Sequence, residues 1–414
     1  MNRVVIEESN LSVSRIEEKC LNCGLCLKTC LDNNGMEKDC VNCGLCILTC
    51  PTGALVPKYC YKTVLNYIYD TNYTVVIMTS PAVRVAIGDE FGFEPGTYLE
   101  GKMIKALRKI GFDYVFDTTF GADLTTMEEA KELLNRINKV ENLPMFTSCC
   151  PSWVEYMNKY HFSDIKLLST CKSPISMQGS MIKSYFSDYS RIPKENIISV
   201  ALTPCVSKKT EIAEYNDVDY VITLRELAMM IRELNIDFKS LQDDEFDKLL
   251  GKGSGAGVIF GTSGGVMEST LRTSYFLLNN EKAPTNFYNL VEVRGEKDFK
   301  EATIDMKKLT LKVAVVNKLS TVKKVYETLK EYDFVEVMTC PGGCIGGAGL
   351  TLVNIQEQKE YRDKRICSLY KEDNQINNKE SYNNPEIIEA YETYINKNKV
   401  ELHKKTNNTF TKDK

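Results

Sequence analysis

Apolar positions along this chain come in short runs, and three of those runs stop at cysteines. Leu143 to Phe146 leads into Thr147-Ser148-Cys149-Cys150-Pro151. Ile197 to Leu202 leads into Thr203-Pro204-Cys205-Val206-Ser207-Lys208, and Phe334 to Met338 into Thr339-Cys340-Pro341-Gly342-Gly343-Cys344. Runs this short, bounded by turn and polar residues, predict buried strands. Another strand is predicted over Thr74 to Met78, ending at Thr79-Ser80-Pro81-Ala82-Val83-Arg84. A helix over Gly101 to Ile110 and a strand over Tyr114 to Asp117 follow. A helix from Thr125 to Leu134 then opens with a capping-box pattern, and the charged stretch Lys239 to Lys252 reads as helical. Strand and helix alternate to about Leu350, which predicts a mostly parallel sheet system. In such sheets, ligands gather beyond the carboxyl ends of the strands.

From Ile355 the composition turns polar. Pro385 to Lys397 still reads as an amphipathic helix, and Lys404 to Lys414 is predicted to be disordered. Gly251 to Gly265 is rich in glycine but carries no phosphate-loop motif, so it predicts backbone that approaches something bulky. The longest apolar stretch, Val75 to Gly88, is short and broken by Arg84, so no membrane span is expected. Met1 to Arg15 lacks the apolar centre of a secretion signal, and a cytoplasmic location is expected. A net charge of −4 gives no case for nucleic acid as a partner.

Sixteen cysteines against two histidines change the picture. Without a secretion signal, metal ligation explains them better than disulfides do, and thiolate-only ligation points to iron–sulfur clusters. Near the N-terminus a motif repeats: Cys20-Leu21-Asn22-Cys23-Gly24-Leu25-Cys26-Leu27-Lys28-Thr29-Cys30, then Cys40-Val41-Asn42-Cys43-Gly44-Leu45-Cys46-Ile47-Leu48-Thr49-Cys50-Pro51. Both halves have the spacing of a two-cluster ferredoxin, in which the fourth cysteine serves the other cluster. Cys20, Cys23, Cys26 and Cys50 are therefore expected to hold one [4Fe–4S] cluster, and Cys30, Cys40, Cys43 and Cys46 the other. Zinc knuckles would group their cysteines in pairs instead. Three regions follow: a ferredoxin-like unit over residues 1–70, a two-lobed α/β body over 71–354, and a C-terminal wrapping segment with a polar tail over 355–414. The fold class expected is α+β for the first and α/β with mostly parallel sheets for the second.

The three central motifs supply five thiols. Cys150, Cys205, Cys340 and Cys344 make a four-thiolate set for one cluster, and Cys149 is left over. An unligated thiol beside a cluster is free to move protons. Lys208 brings a positive charge suited to an anionic ligand. The chemistry expected is proton-coupled redox on a small molecule. Cys60, Cys171 and Cys367 match no ligand position and read as structural, and Trp153, the only tryptophan, reads as core.

These motifs resemble the three signatures of the [FeFe]-hydrogenases, carried here by Thr147 to Trp153, Pro204 to Glu211 and Glu336 to Cys344. Phe116 to Asp123, Ser368-Leu369-Tyr370 and Asn384-Pro385 extend the likeness over nearly the whole chain. The resemblance implies an H-cluster: a [4Fe–4S] cubane on Cys150, Cys205, Cys340 and Cys344, bridged by Cys344 to a diiron unit with CO, cyanide and an azadithiolate. It implies that Cys149 exchanges protons with the azadithiolate amine. Lys208 and the backbone at Pro81 and Ala82 would hold the cyanides, and Phe260 and Met338 would pack around the diiron unit. It also implies a proton route from Cys149 through Glu129, Ser169 and Glu132. Taken without the resemblance, the two glutamates read as cap and solvent-facing residues.

The implied activity is reversible reduction of protons to H2, with electrons from a ferredoxin or flavodoxin and cofactor insertion by hydrogenase maturation proteins. Two other readings stay open: a hydrogen-sensing protein, and an iron–sulfur assembly factor lacking the diiron unit. Three positions depart from the pattern: Thr203 where methionine is usual, Ile175 where glutamine is common, and Ala348 in the run Gly346-Gly347-Ala348-Gly349. All three are expected to touch the diiron pocket.

Overall fold

The structure is a computed structural model, and it describes residues 3–35, 39–398 and 400–404. Uninterrupted apolar runs became strands buried on both faces, as parallel sheets covered by helices require. Among the described residues, ten strands are formed: β1 (Val13–Arg15), β2 (Leu55–Pro57), β3 (Thr74–Thr79), β4 (Tyr114–Asp117), β5 (Met145–Phe146), β6 (Ile197–Thr203), β7 (Tyr220–Thr223), β8 (Phe299–Asp305), β9 (Thr310–Asn317) and β10 (Phe334–Met338). One sheet has the order β4-β3-β6-β7 and is parallel throughout. The other has the order β5-β10-β9-β8, parallel except for the β8–β9 pair at its edge. The edge strand β8 alternates buried and exposed positions, as a strand wetted on one face does. The predicted α/β body with mostly parallel sheets is what forms. Ahead of it, β1 and β2 pair antiparallel beside the cysteine repeat.

Four local expectations are corrected. Only Met145 and Phe146 of the first apolar run pair with β10, because Pro144 has no N–H to give a ladder. The helix expected from Thr125 begins at Thr118 and runs to Lys139. Asp117 caps it, its carboxylate accepting from the Thr119 amide at 3.0 Å, so β4 passes into the helix without a loop. Thr125 and Thr126 look like cap residues but donate to the carbonyls of Gly121 and Ala122, each at 2.9 Å, inside the helix.

The third correction is at Lys239 to Lys252, which holds only a short turn, Phe238–Ser240, and then extended chain. Its acids serve as anchors. Asp247 accepts from the Val115 amide at 2.7 Å through its carboxylate and donates its own amide to Val115 at 2.9 Å, closing the open edge of β4. The fourth lies at the C-terminus. Lys404 is ordered, with its amide on the Thr170 carbonyl at 2.7 Å, while the rest of the predicted disordered stretch lies outside the described residues.

Arg84, which breaks the long apolar run, is buried and clamped between Asp117 and Glu100. That clamp fixes the turn carrying Pro81 and Ala82. The glycine-rich stretch does lie close to bulky neighbours. A Cβ on Gly253 would meet Thr119 Oγ1 at 2.0 Å, and one on Gly255 would meet the Asp373 carboxylate at 2.0 Å. Buried Asp123 ties this stretch to the C-terminal segment, accepting from Ser254, Ser381 and Asn384. No helix among the described residues is long and apolar enough to cross a membrane.

Candidate functional site

The carboxyl ends of the two sheets face each other, and the chain turns after β3, β4, β5, β6 and β10 line the space between them. After β5, the Thr147 amide donates to the Val335 carbonyl at 2.9 Å, and Cys150 then caps the helix Pro151–Tyr160. After β6, the Thr203 hydroxyl donates to the Cys205 carbonyl at 2.9 Å, which a methionine there could not do. The amides of Ser207 and Lys208 point at the Cys205 sulfur. After β10, Gly342 and Gly343 take φ of 73° and 92°, so Cys340 and Cys344 bend toward one centre. The glycine-rich stretch braces this bend through the Ser263 amide on the Gly342 carbonyl, at 2.9 Å.

A largely apolar cavity results, lined among others by Pro81, Ala82, Cys149, Cys205, Lys208, Phe260, Met338 and Cys344. Cys150 lies beside it, with its thiol 3.4 Å from the Thr339 hydroxyl. All sixteen cysteines are free thiols. Burial first, and the neighbouring thiols second, push Cys205 up to about 11 and Cys344 up to about 12. Cys340 is pushed well above its ordinary value for the same reasons. Four half-buried thiols, with no carboxylate among them, fit a polynuclear iron–sulfur group, whose irons are most often held by thiolates. Lys208 is already engaged: its ammonium pairs with Glu211 and donates to the Cys149 carbonyl at 2.9 Å. Thr203 and Ile175 line the cavity, but Ala348 does not. Ala348 packs instead against Val206 and the ferredoxin-like unit, where a Cβ on Gly44 would meet it at 3.1 Å.

The N-terminal cysteines divide between two hollows. Cys20, Cys23, Cys26 and Cys50 surround one, and Cys30, Cys40, Cys43 and Cys46 surround the other. Cys23 of the first group is exposed. Cys43 of the second is buried in the same core cluster as Cys150 and Cys340. Two asparagines that spacing gave no reason to single out donate to these thiols. Asn34 reaches Cys43 at 3.3 Å and Cys30 at 3.7 Å, and Asn10 reaches Cys40 at 3.5 Å.

Behind Cys149 stands the long helix Thr118–Lys139. Glu129 is buried inside the helix, contrary to its reading without the resemblance as a cap residue, and burial with the nearby Glu132 carboxylate raises it to about 8. Burial first and Glu129 second push the Cys149 thiol well above its usual value. At neutral pH both groups therefore hold their protons. The Ser169 hydroxyl bonds Glu129 and lies 3.4 Å from Glu132 Oε2. Glu132 pairs with Arg136 and opens on a groove lined also by Thr170 and His403. Arg136, Thr170 and Thr270, whose hydroxyl lies 3.5 Å from Glu129, were not singled out from sequence. Only Arg136 left a trace there, as an i, i+4 partner of Glu132.

The family model described as "Iron only hydrogenase large subunit, C-terminal domain" matches residues 73–348, and that of the "4Fe-4S binding domain" matches residues 36–56. The NADP-reducing hydrogenase subunit HndD of Solidesulfovibrio fructosivorans is 39% identical over 91% of this chain, which spans 63% of that protein's length. Cytosolic iron-sulfur assembly component 3 of Mus musculus is 30% identical over 66% of the chain and 62% of its own length. An apo [FeFe]-hydrogenase HydA1 variant from Chlamydomonas reinhardtii superposes with a TM-score of 0.69 at 35% identity, covering 80% of this chain and 94% of that one. Taken with the paired sheets, the converging thiols and the iron–sulfur repeat, these likenesses show that the chain belongs to the iron-only hydrogenase family.

Proposed function

We propose that the protein is an [FeFe]-hydrogenase catalysing 2H⁺ + 2e⁻ ⇌ H2. The observation that carries this reading is the junction at Cys149: a half-buried thiol on the cavity wall, outside the four-thiol set, backed by a carboxyl that keeps its proton at neutral pH. A protein that only carries or hands on a cluster has no use for that junction. Cys150, Cys205, Cys340 and Cys344 would hold a cubane, and the cavity beside them would take the diiron unit. When bound, that unit supplies the centre at which electrons and protons combine. Pro81, Ala82, Phe260 and Met338 keep water out of the cavity. Lys208, held in place by Glu211, presents a fixed positive charge to anionic ligands there.

Cys149 holds a proton at Sγ and is resupplied from the Glu129 carboxyl. Ser169 passes a proton between Glu132 and Glu129, and Glu132 meets solvent at the groove. Cys20, Cys23, Cys26 and Cys50 would hold an outer [4Fe–4S] cluster near the surface, and Cys30, Cys40, Cys43 and Cys46 an inner one near Cys340. A small reduced carrier of the ferredoxin or flavodoxin class would deliver electrons at the outer end, and maturation proteins would insert the diiron unit. A second reading, an iron–sulfur assembly factor, is favoured by the likeness to cytosolic iron–sulfur assembly proteins, the mouse one among them. The test is a hydrogen assay in both directions on the matured chain. Turnover with a reduced low-potential donor supports hydrogenase activity; full cluster loading with no hydrogen made or consumed contradicts it.

A further inference from the structure

On the outer side of the long helix, three side chains of different types converge away from every iron–sulfur position. The Cys171 thiol lies 3.5 Å from Glu132 Oε2 and 3.9 Å from His403 Nδ1. All three donor atoms lie within 4.8 Å of one another, the one such grouping of three among the described residues. A tetrahedral zinc site, with bonds of about 2.0 Å to nitrogen and oxygen and about 2.3 Å to sulfur, has edges of roughly 3.3–3.6 Å between its donors. The trio needs only small side-chain adjustments to reach that.

Two further observations point the same way. His403 Nε2 lies 3.1 Å from Glu128 Oε2, so the ring is oriented with Nδ1 facing the other two donors. A carboxylate behind a ligating histidine is the usual outer support of such sites. The chain itself also pins the donors together. Cys171 and His403 are bridge partners across an antiparallel pair, reinforced by the Lys172 amide on the Leu402 carbonyl at 3.0 Å. Arg136 holds Glu132 Oε1, while Oε2, which also accepts from the Thr170 amide at 3.0 Å, faces the trio. The Thr170 hydroxyl, 2.9 Å from both Oε2 and Nδ1, sits where an ion would displace it. The adjoining groove gives access from solvent.

We infer that Glu132, Cys171 and His403 form a binding site for a zinc-class divalent cation, completed by water, which staples the C-terminal strap to the catalytic body. On binding, the Cys171 thiol gives its proton to solvent and the sulfur takes the metal. His403 ligates through Nδ1, releasing any proton there to solvent, and keeps its proton on Nε2, donated to the Glu128 carboxylate. No electron moves.

The site goes beyond the proposed hydrogenase activity and does not depend on it. Glu132 also belongs to the proposed proton route, so the test reads metal binding and not turnover. The full chain, with its iron–sulfur clusters assembled, is exposed to Zn²⁺, passed through a weak chelating resin, and examined for metal content and by zinc-edge X-ray absorption. The expected result is one zinc per chain with one sulfur and the remainder nitrogen or oxygen in its first shell, and no loss of iron. His403→Gln, at a part-exposed position, and Cys171→Ser each remove the bound zinc, and Glu128→Gln weakens retention about 10-fold. A shell of four sulfurs, retention in His403→Gln, or no zinc after the resin overturns the inference.

Discussion

The ferredoxin-like unit and the long helix behind Cys149 approach the same cavity from different sides, and they are built of different materials. On the first side, eight thiols surround two hollows, and the side chains that reach them include the amides of Asn10 and Asn34 and the Thr52 hydroxyl. On the second, carboxyls and hydroxyls run from Glu129 through Ser169 to Glu132, linked by hydrogen bonds. An electron crosses gaps between clusters, so its route needs redox centres of fixed spacing. A proton moves only between groups in hydrogen-bond contact, so its route needs buried titratable groups whose affinities are tuned by their surroundings. The electron side is therefore expected to fail by losing iron, and the proton side by losing rate with all iron in place.

The largest effect is expected from Cys149→Ser in matured protein. Hydrogen evolution should fall at least about 100-fold, while iron per chain stays unchanged. Loss of iron along with rate would move Cys149 from the proton side to the metal side. Glu129→Gln should have an effect of similar order, because an amide keeps the shape but cannot carry a proton. Retained activity would remove the carboxylate chain from the route.

Next comes Cys43→Ser, which should cost the inner cluster, roughly four irons. It should slow evolution driven by a protein carrier more than evolution driven by a small dye. Equal slowing with both donors would argue against an ordered relay through the two hollows.

A smaller effect is set by pH. Glu129 is raised to about 8, so folded protein holds a proton there that unfolded protein, with an ordinary glutamate, releases near 4.5. Its contribution to stability is complete below the unfolded value and is lost as pH rises toward 8. Thermal midpoints should fall across that window, and Glu129→Gln should flatten the slope. The smallest effect is expected from Asn34→Ala. Removing a donor to Cys43 and Cys30 should lower the inner cluster's midpoint potential with no change in iron content, measurable by redox titration.

The same contrast explains what could be read from the residues alone. The grouping of the eight N-terminal cysteines was legible because the interleaved pattern Cys20 to Cys50 is local and its spacing reports geometry directly. The strand-to-cysteine turns at Cys205 and Cys340 were legible because uninterrupted apolar runs ahead of them show both strand and exit, whereas ahead of Cys150 only Met145 and Phe146 form the strand. Glu129 was different. Spacing put it three residues after Thr126, in a pattern that reads as a cap, and only tertiary packing buries it. Arg136, Thr170 and Thr270 reach the carboxylates from one helical turn on, a loop and a separate helix, and no pattern links them beforehand. Ala348 was misplaced for the related reason that adjacency to Cys344 in sequence says nothing of which side of the turn a methyl group faces. Lys404 falls in a stretch whose composition reads as disorder, and His403 stands immediately before it. They are held by the backbone at Thr170 and Lys172, which composition does not register.

The central claim is that the cavity between the two sheet ends takes a diiron unit carrying CO and cyanide beside a cubane on Cys150, Cys205, Cys340 and Cys344. Infrared spectroscopy of protein produced with the maturation proteins tests it most directly. Bands in the metal-carbonyl and metal-cyanide region, absent from protein produced without those partners, are the predicted result. A matured sample with full cluster iron and no such bands would contradict the account.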